Sequence, residues 1–86
     1  MDEKELREKV VNDLVSIAPE VDPTVLEHDK PLRSQVDLDS FDWLRYLVTL
    51  HDSLGVDIPE TDYRKLTTLD LLVAYLHQKL TEQKGA

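Results

Sequence analysis

The sequence predicts an all-α fold: a small antiparallel four-helix bundle, three main helices plus one short one, with a long loop between the first two. Three observations carry this expectation. Apolar residues recur at three- and four-residue spacing in three segments, beginning near Glu3, Ser40 and Thr68. No segment alternates apolar and polar residues as a half-buried strand does. Residues 18–39 hold three of the four prolines and keep no period. A chain of 86 residues buries only about 60–65 % of its unfolded surface, so one domain, 1–86, with one small core is expected.

The first helix is expected from Glu3 to Ile17, where Leu6, Val10, Leu14 and Ile17 share a face that Val11 widens. Pro19 disfavours helical geometry at Ala18 and ends it. The following segment, 18–39, exceeds ordinary loop length and reads as a functional loop packed by its own apolar residues. Val21, Val25, Leu26, Leu32 and Val36 are its expected anchors, with a helical turn near Thr24 to Glu27. The second helix is expected from Ser40 to Leu54, capped by Asp39, with Asp42 in the first turn where the helix dipole favours negative charge. Leu44, Leu47, Val48, Leu50 and Leu54 are read as its apolar side, and Gly55 as its left-handed stop. Val56 to Pro59 reads as an extended link and Glu60 to Lys65 as the short helix. The last helix is expected from Thr68 to Thr81, with Thr67 and Asp70 at capping-box spacing and a buried stripe of Leu69, Leu72, Val73, Leu76 and Leu80. Residues 82–86 read as a frayed tail.

Charge narrows the function classes. Eighteen acidic residues against ten basic ones give a formal charge of −8. Binding to a phosphate backbone depends on Lys and Arg clusters, so neither nucleic acid nor an anionic membrane is an expected partner. An acidic protein of this size is suited to basic patches on other proteins. The chain has no cysteine, which excludes disulfides, thiolate metal sites and a cysteine nucleophile. No signal peptide or membrane span is read, so the cytoplasm is the expected compartment, and a monomer is the expected state.

Ser40, between Asp39 and Asp42 at a helix start, is the residue that asks for an explanation. A hydrolytic serine needs a base within hydrogen-bond reach, ordinarily a histidine oriented by a carboxylate. His51 lies eleven residues along the same helix, about 16 Å at 1.5 Å per residue. His77 is in the last helix, His28 in the long loop, and no G-x-S-x-G elbow surrounds the serine. His51 and the adjacent Asp52 point to different faces, so no metal site is read. The only two glycines, Gly55 and Gly85, cannot build a phosphate-cradling loop. Two local roles stay open: ordinary helix-start chemistry, and an attachment point, since helix N-termini accept phosphate.

The wider pattern favours attachment. Asp39-Ser40-Phe41 followed by Leu44 and Leu47, then Gly55-Val56-Asp57-Ile58-Pro59, then Thr67-Thr68-Leu69, in that order within residues 32–76, resembles the acyl carrier protein family. The resemblance implies that a phosphopantetheinyl transferase attaches 4′-phosphopantetheine from coenzyme A to Ser40, and that the arm's thiol then holds acyl groups as thioesters. The protein would not be an enzyme. It would present its cargo to an acyl-loading ligase or acyltransferase and to downstream acyl-using enzymes of fatty-acid, lipid or secondary-metabolite synthesis. Asp39, Phe41, Asp42, Trp43, Arg45 and Tyr46 become candidate contacts for the transferase and partners. Leu47, Val48, Ile58, Leu72 and Leu76 become candidate liners of an interior acyl site, or plain core.

The sequence departs from that pattern in places. Phe41 replaces the commonest leucine. Asp37 and Leu38 stand where many fatty-acid carriers have glycine and a small residue. Arg45 stands where those carriers typically show an acid, and a reversed charge on a contact face argues for different partners. The resemblance therefore points to a specialised free-standing carrier. The alternative is a carrier-fold interaction or structural subunit that works without the arm.

Overall fold

The computed structural model describes residues 2–85, with side chains to residue 82. Its frame is α1 (Glu3–Ile17), the single turn α2 (Leu32–Gln35), α3 (Ser40–Leu54) and α4 (Leu69–Gly85), with 3-10 segments at Pro23–Val25 and Glu60–Lys65. Among the described residues there is no strand, only an isolated bridge between Pro31 and Thr68. The three long helices lie where the periodicity puts them. The expected short helix at 60–65 is a 3-10 segment, and a further turn, α2, interrupts the long loop.

α1 starts at Asp2, whose carboxylate accepts from the Glu5 N–H at 2.8 Å, and it stops at Ala18 ahead of Pro19. It packs against both α3 and α4. Leu6, Val10 and Leu14 meet Tyr46, Leu47 and Leu50 of α3 and Leu69, Leu72, Val73 and Leu76 of α4 in one apolar cluster. Full burial of such side chains stabilises the fold by about 1.5–3 kcal/mol each.

α3 is rotated relative to the sequence expectation. Trp43, Tyr46, Leu47 and Leu50 point inward, whereas Leu44 and Val48 are 44% and 51% exposed. The stripes 43-46-47-50 and 44-47-48 both satisfy the helical period, so spacing does not distinguish them. The choice is made by Tyr46. Its hydroxyl donates to the Val10 carbonyl of α1 at 2.7 Å, so the ring is buried with its polar end satisfied. Burial, assisted by the Asp13 carboxylate, pushes the phenol pKa up from its ordinary value.

α4 begins one residue later than the capping-box spacing suggested. The cap is Thr68, whose Oγ1 accepts from the Leu71 N–H at 3.1 Å, and not Thr67 paired with Asp70. Asp70 is used elsewhere: its N–H donates to the His28 carbonyl at 3.0 Å, and its carboxylate accepts from Arg7 at 3.0 Å. The Thr67 carbonyl accepts from the Leu32 N–H at 2.8 Å. These bonds tie the long loop to the start of α4. The tail expected to fray continues α4 to Gly85, since Glu82, Gln83 and Lys84 are good helix formers with no breaker among them. Ala86 lies outside the described residues.

Leu32 and Val36 anchor the long loop as expected, with Val21 and Leu26 half-buried, but Val25 is 69% exposed and anchors nothing. Gln35 carries no signal at the level of sequence pattern. Its amide donates to the carbonyls of Glu27 at 2.9 Å and Lys30 at 3.0 Å, and its Oε1 accepts from the Glu27 N–H at 2.7 Å. Gln35→Ala is expected to cost about 1–2 kcal/mol and to raise amide exchange across residues 27–31. Unchanged exchange there would show that the turns alone hold the loop.

Asp62 and Tyr75 fasten the 60–65 segment to α4 through a 2.6 Å hydrogen bond donated by the phenol. That bond, with smaller contributions from Lys65 and Lys79, holds the Asp62 carboxyl below its ordinary 3.8. Burial first, then the Asp62 carboxylate, pushes the Tyr75 phenol up. A lowered acid pKa contributes stability above the unfolded value that is lost as pH falls through the folded one. A raised phenol contributes below 10.0 and is lost as pH rises through its folded value. Tyr75→Phe should therefore flatten the melting temperature's fall below pH 4, read by circular dichroism from pH 2 to 7.

Candidate functional site

The chain reaches Ser40 through a short ramp. Val36 and Leu38 turn inward and are buried, Asp37 and Asp39 face out, and the Leu38 N–H bonds back to the Val36 carbonyl at 2.7 Å. The bulk of Leu38 is thus directed into the core, away from the serine. Asp39, extended at φ −78° and ψ 176°, accepts the Asp42 N–H at 2.8 Å, and the Asp39 carbonyl accepts the Trp43 N–H at 3.0 Å. This cap starts α3 with Ser40 as its first residue.

Ser40 is exposed, and its hydroxyl has no hydrogen-bond partner among the described residues. The histidines are engaged elsewhere. His51 Nδ1 lies 2.6 Å from the Val56 carbonyl, and because a carbonyl only accepts, that nitrogen carries the hydrogen. His28 Nδ1 accepts from Arg7 at 2.9 Å. No cluster of three His, Cys, Asp or Glu suited to a metal occurs among the described residues. What the site does offer is an accessible hydroxyl at the positive end of a fifteen-residue helix, beside first-turn N–H groups that have no intrahelical acceptor. That arrangement accommodates a phosphodiester on Ser40 Oγ.

The remaining sequence candidates divide. Asp39, Phe41 and Arg45 are exposed and Asp42 half-buried, on the surface around Ser40. Arg45 approaches Asp42 only to 3.9 Å. Trp43 and Tyr46, expected as contacts, are core residues instead: Tyr46 is 0% exposed, and its ring lies tilted against Trp43 at 5.7 Å between centroids. Leu47, Ile58, Leu72 and Leu76 are buried as an interior lining requires, whereas Val48 faces out because α3 is rotated. Leu44 and Val48 join Phe41, 74% exposed, as an apolar outer stripe with Arg45 and Thr49 around a shallow hollow of about 330 Å³. Leu44 and Val48 were readable as core or as surface, and their spacing from Phe41 was the available signal for the second.

Among the described residues no helix is long and apolar enough to cross a membrane. The phosphopantetheine attachment site family matches residues 9–76. An acyl carrier protein of Rhodococcus erythropolis is 34% identical over 83 residues, covering 93% of this chain and 89% of the relative. One of Lactobacillus johnsonii is 30% identical over 76 residues, covering 88% and 94%. The meromycolate extension acyl carrier protein of Mycolicibacterium smegmatis is 32% identical over 80 residues, covering 90% and 80%.

Proposed function

This chain belongs to the acyl carrier protein family, and we propose that Ser40 is the residue on which it bears its arm. Its function is acyl carriage on 4′-phosphopantetheine. When bound, the arm supplies a thiol that holds acyl groups as thioesters, the reactive sulfur this cysteine-free chain lacks. The chain's own residues do the rest. Asp39 fixes the start of α3, Val36 and Leu38 hold the ramp, and Ser40 Oγ stands open to a transferase. The observation that carries the reading is this exposed hydroxyl at the head of α3, without a hydrogen-bond partner among the described residues and inside the span the family matches.

Residues 1–86 act as one carrier domain, a cytoplasmic monomer that catalyses no step itself. A phosphopantetheinyl transferase and acyl-handling enzymes read the surface formed by Asp39, Phe41, Asp42 and Arg45, now extended by Leu44 and Val48. An exposed arginine inside an apolar stripe favours partners that present a carboxylate there, which supports a specialised carrier over one serving basic enzyme patches. Leu47, Ile58, Leu72 and Leu76 remain candidate liners of an interior acyl site.

The test is incubation with coenzyme A, magnesium and a broad-specificity phosphopantetheinyl transferase, followed by intact-mass measurement and peptide mapping. One added phosphopantetheine on the Ser40 peptide is expected. Modification at Ser16, Ser34 or Ser53, or no gain by the folded protein with either a broad or a cognate transferase, would overturn the assignment.

A further inference from the structure

Beside Trp43 the local charge of this acidic chain changes sign. A cleft of about 380 Å³ opens there, with Arg33 of α2 on one side and Arg64 of the 60–65 segment on the other. Trp43, Tyr63, Leu66 and Pro31 give it apolar and aromatic walls. No carboxylate lines it, and neither arginine has an acidic partner among the described residues. The Trp43 indole N–H and the Tyr63 hydroxyl likewise have no hydrogen-bond partner among them. A hollow on the long loop shows the opposite character, lined by Glu20, Asp22 and Asp37.

Two guanidinium groups with no counter-charge, over an apolar slot with spare donors, match a ligand with an apolar body and an anionic end. Guanidinium is the side chain that best fits a carboxylate, through paired N–H bonds. The position of the cleft indicates how such a ligand arrives. Trp43 is three residues after Ser40, on the same side of α3 one turn along, so the cleft adjoins the point from which cargo is tethered.

We infer that this cleft docks the free carboxylate end of a dicarboxylic acyl cargo carried at Ser40, selecting it over a plain alkyl acyl group. The inference rests on the carrier reading above. An alkyl chain in the same slot would gain apolar contact but would strip water from two guanidinium groups without pairing them, which disfavours it.

Trp43 is the only tryptophan and reports on the cleft directly. The protein is loaded from adipoyl-coenzyme A or hexanoyl-coenzyme A, which differ only in a terminal carboxylate against a methyl. Loading is confirmed by intact mass. Adipoyl cargo is expected to shift the Trp43 emission and its indole N–H resonance, and hexanoyl cargo to leave both near the unacylated state. The adipoyl shift should fall roughly two- to fivefold for each of Arg33→Gln and Arg64→Gln, and should weaken in 1 M salt. Both arginines are exposed, so the variants are expected to keep the wild-type circular dichroism. Equal shifts with both cargoes, no shift despite confirmed loading, or a shift unchanged in the double variant would overturn this inference alone. Absence of any mass gain would overturn the attachment at Ser40 and this inference with it.

Discussion

Ser40→Ala is expected to abolish phosphopantetheinylation completely and to leave the fold intact. The serine hydroxyl makes no hydrogen bond among the described residues, so its removal orphans no buried group. Alanine is the better helix former, and Asp39 still caps α3 through the Asp42 N–H. The change in stability should stay within about 0.5 kcal/mol, the range for an exposed site without special contacts. Intact mass after transferase treatment and a thermal melt check the two halves together. A folded variant that gains no mass is the expected result. A folded variant that still gains a phosphopantetheine would place the arm on another serine. A binding partner that holds wild type and variant equally, where the wild type is never modified, would instead favour the subunit that works without the arm.

Tyr46→Ala should produce the largest loss of stability. Tyr46 is fully buried at the α1–α3 contact and donates to the Val10 carbonyl. Truncating an aromatic residue in a packed core costs about 3–5 kcal/mol, through lost transfer energy and the cavity left behind. For a domain of this size that lowers the melting temperature by roughly 15 °C or more. Tyr46→Phe keeps the ring and loses one hydrogen bond, costing about 1 kcal/mol, because the Val10 carbonyl retains its helical partner. The pair also tests where Tyr46 acts. A residue on the partner surface would slow the transferase on losing its hydroxyl, whereas a core residue leaves the modification rate of Tyr46→Phe at the wild-type value.

The misplacement of Tyr46 by sequence reasoning has a specific cause. On α3, the aliphatic pair Leu44 and Val48 competes with the aromatic pair Trp43 and Tyr46, and both stripes share Leu47. Nothing within the helix ranks the two. The same holds for Thr67 and Thr68, either of which could cap α4; the decision is visible only once Asp70 is seen bound to His28 and Arg7. Gln35 and the Arg7–His28 contact carry no helix-spacing signature, because their partners lie 5 and 8 residues away in the first case and 21 in the second.

Local sequence specifies most of what is set within about one helical turn. Asp2 aside, that includes the three long helices, the Asp39 cap, the stop at Gly55 with its φ of +67°, and the exposed serine at the head of α3. Local backbone preference and side-chain capping act over three or four residues, and those residues are adjacent in the chain. The rotation of α3, the outward stripe beside Ser40 and the meeting of Arg33 with Arg64 across a cleft arise from long-range packing. Each depends on what a distant segment offers: a carbonyl on α1, 36 residues from the tyrosine that binds it, is what turns Tyr46 inward and leaves Leu44 and Val48 to face outward.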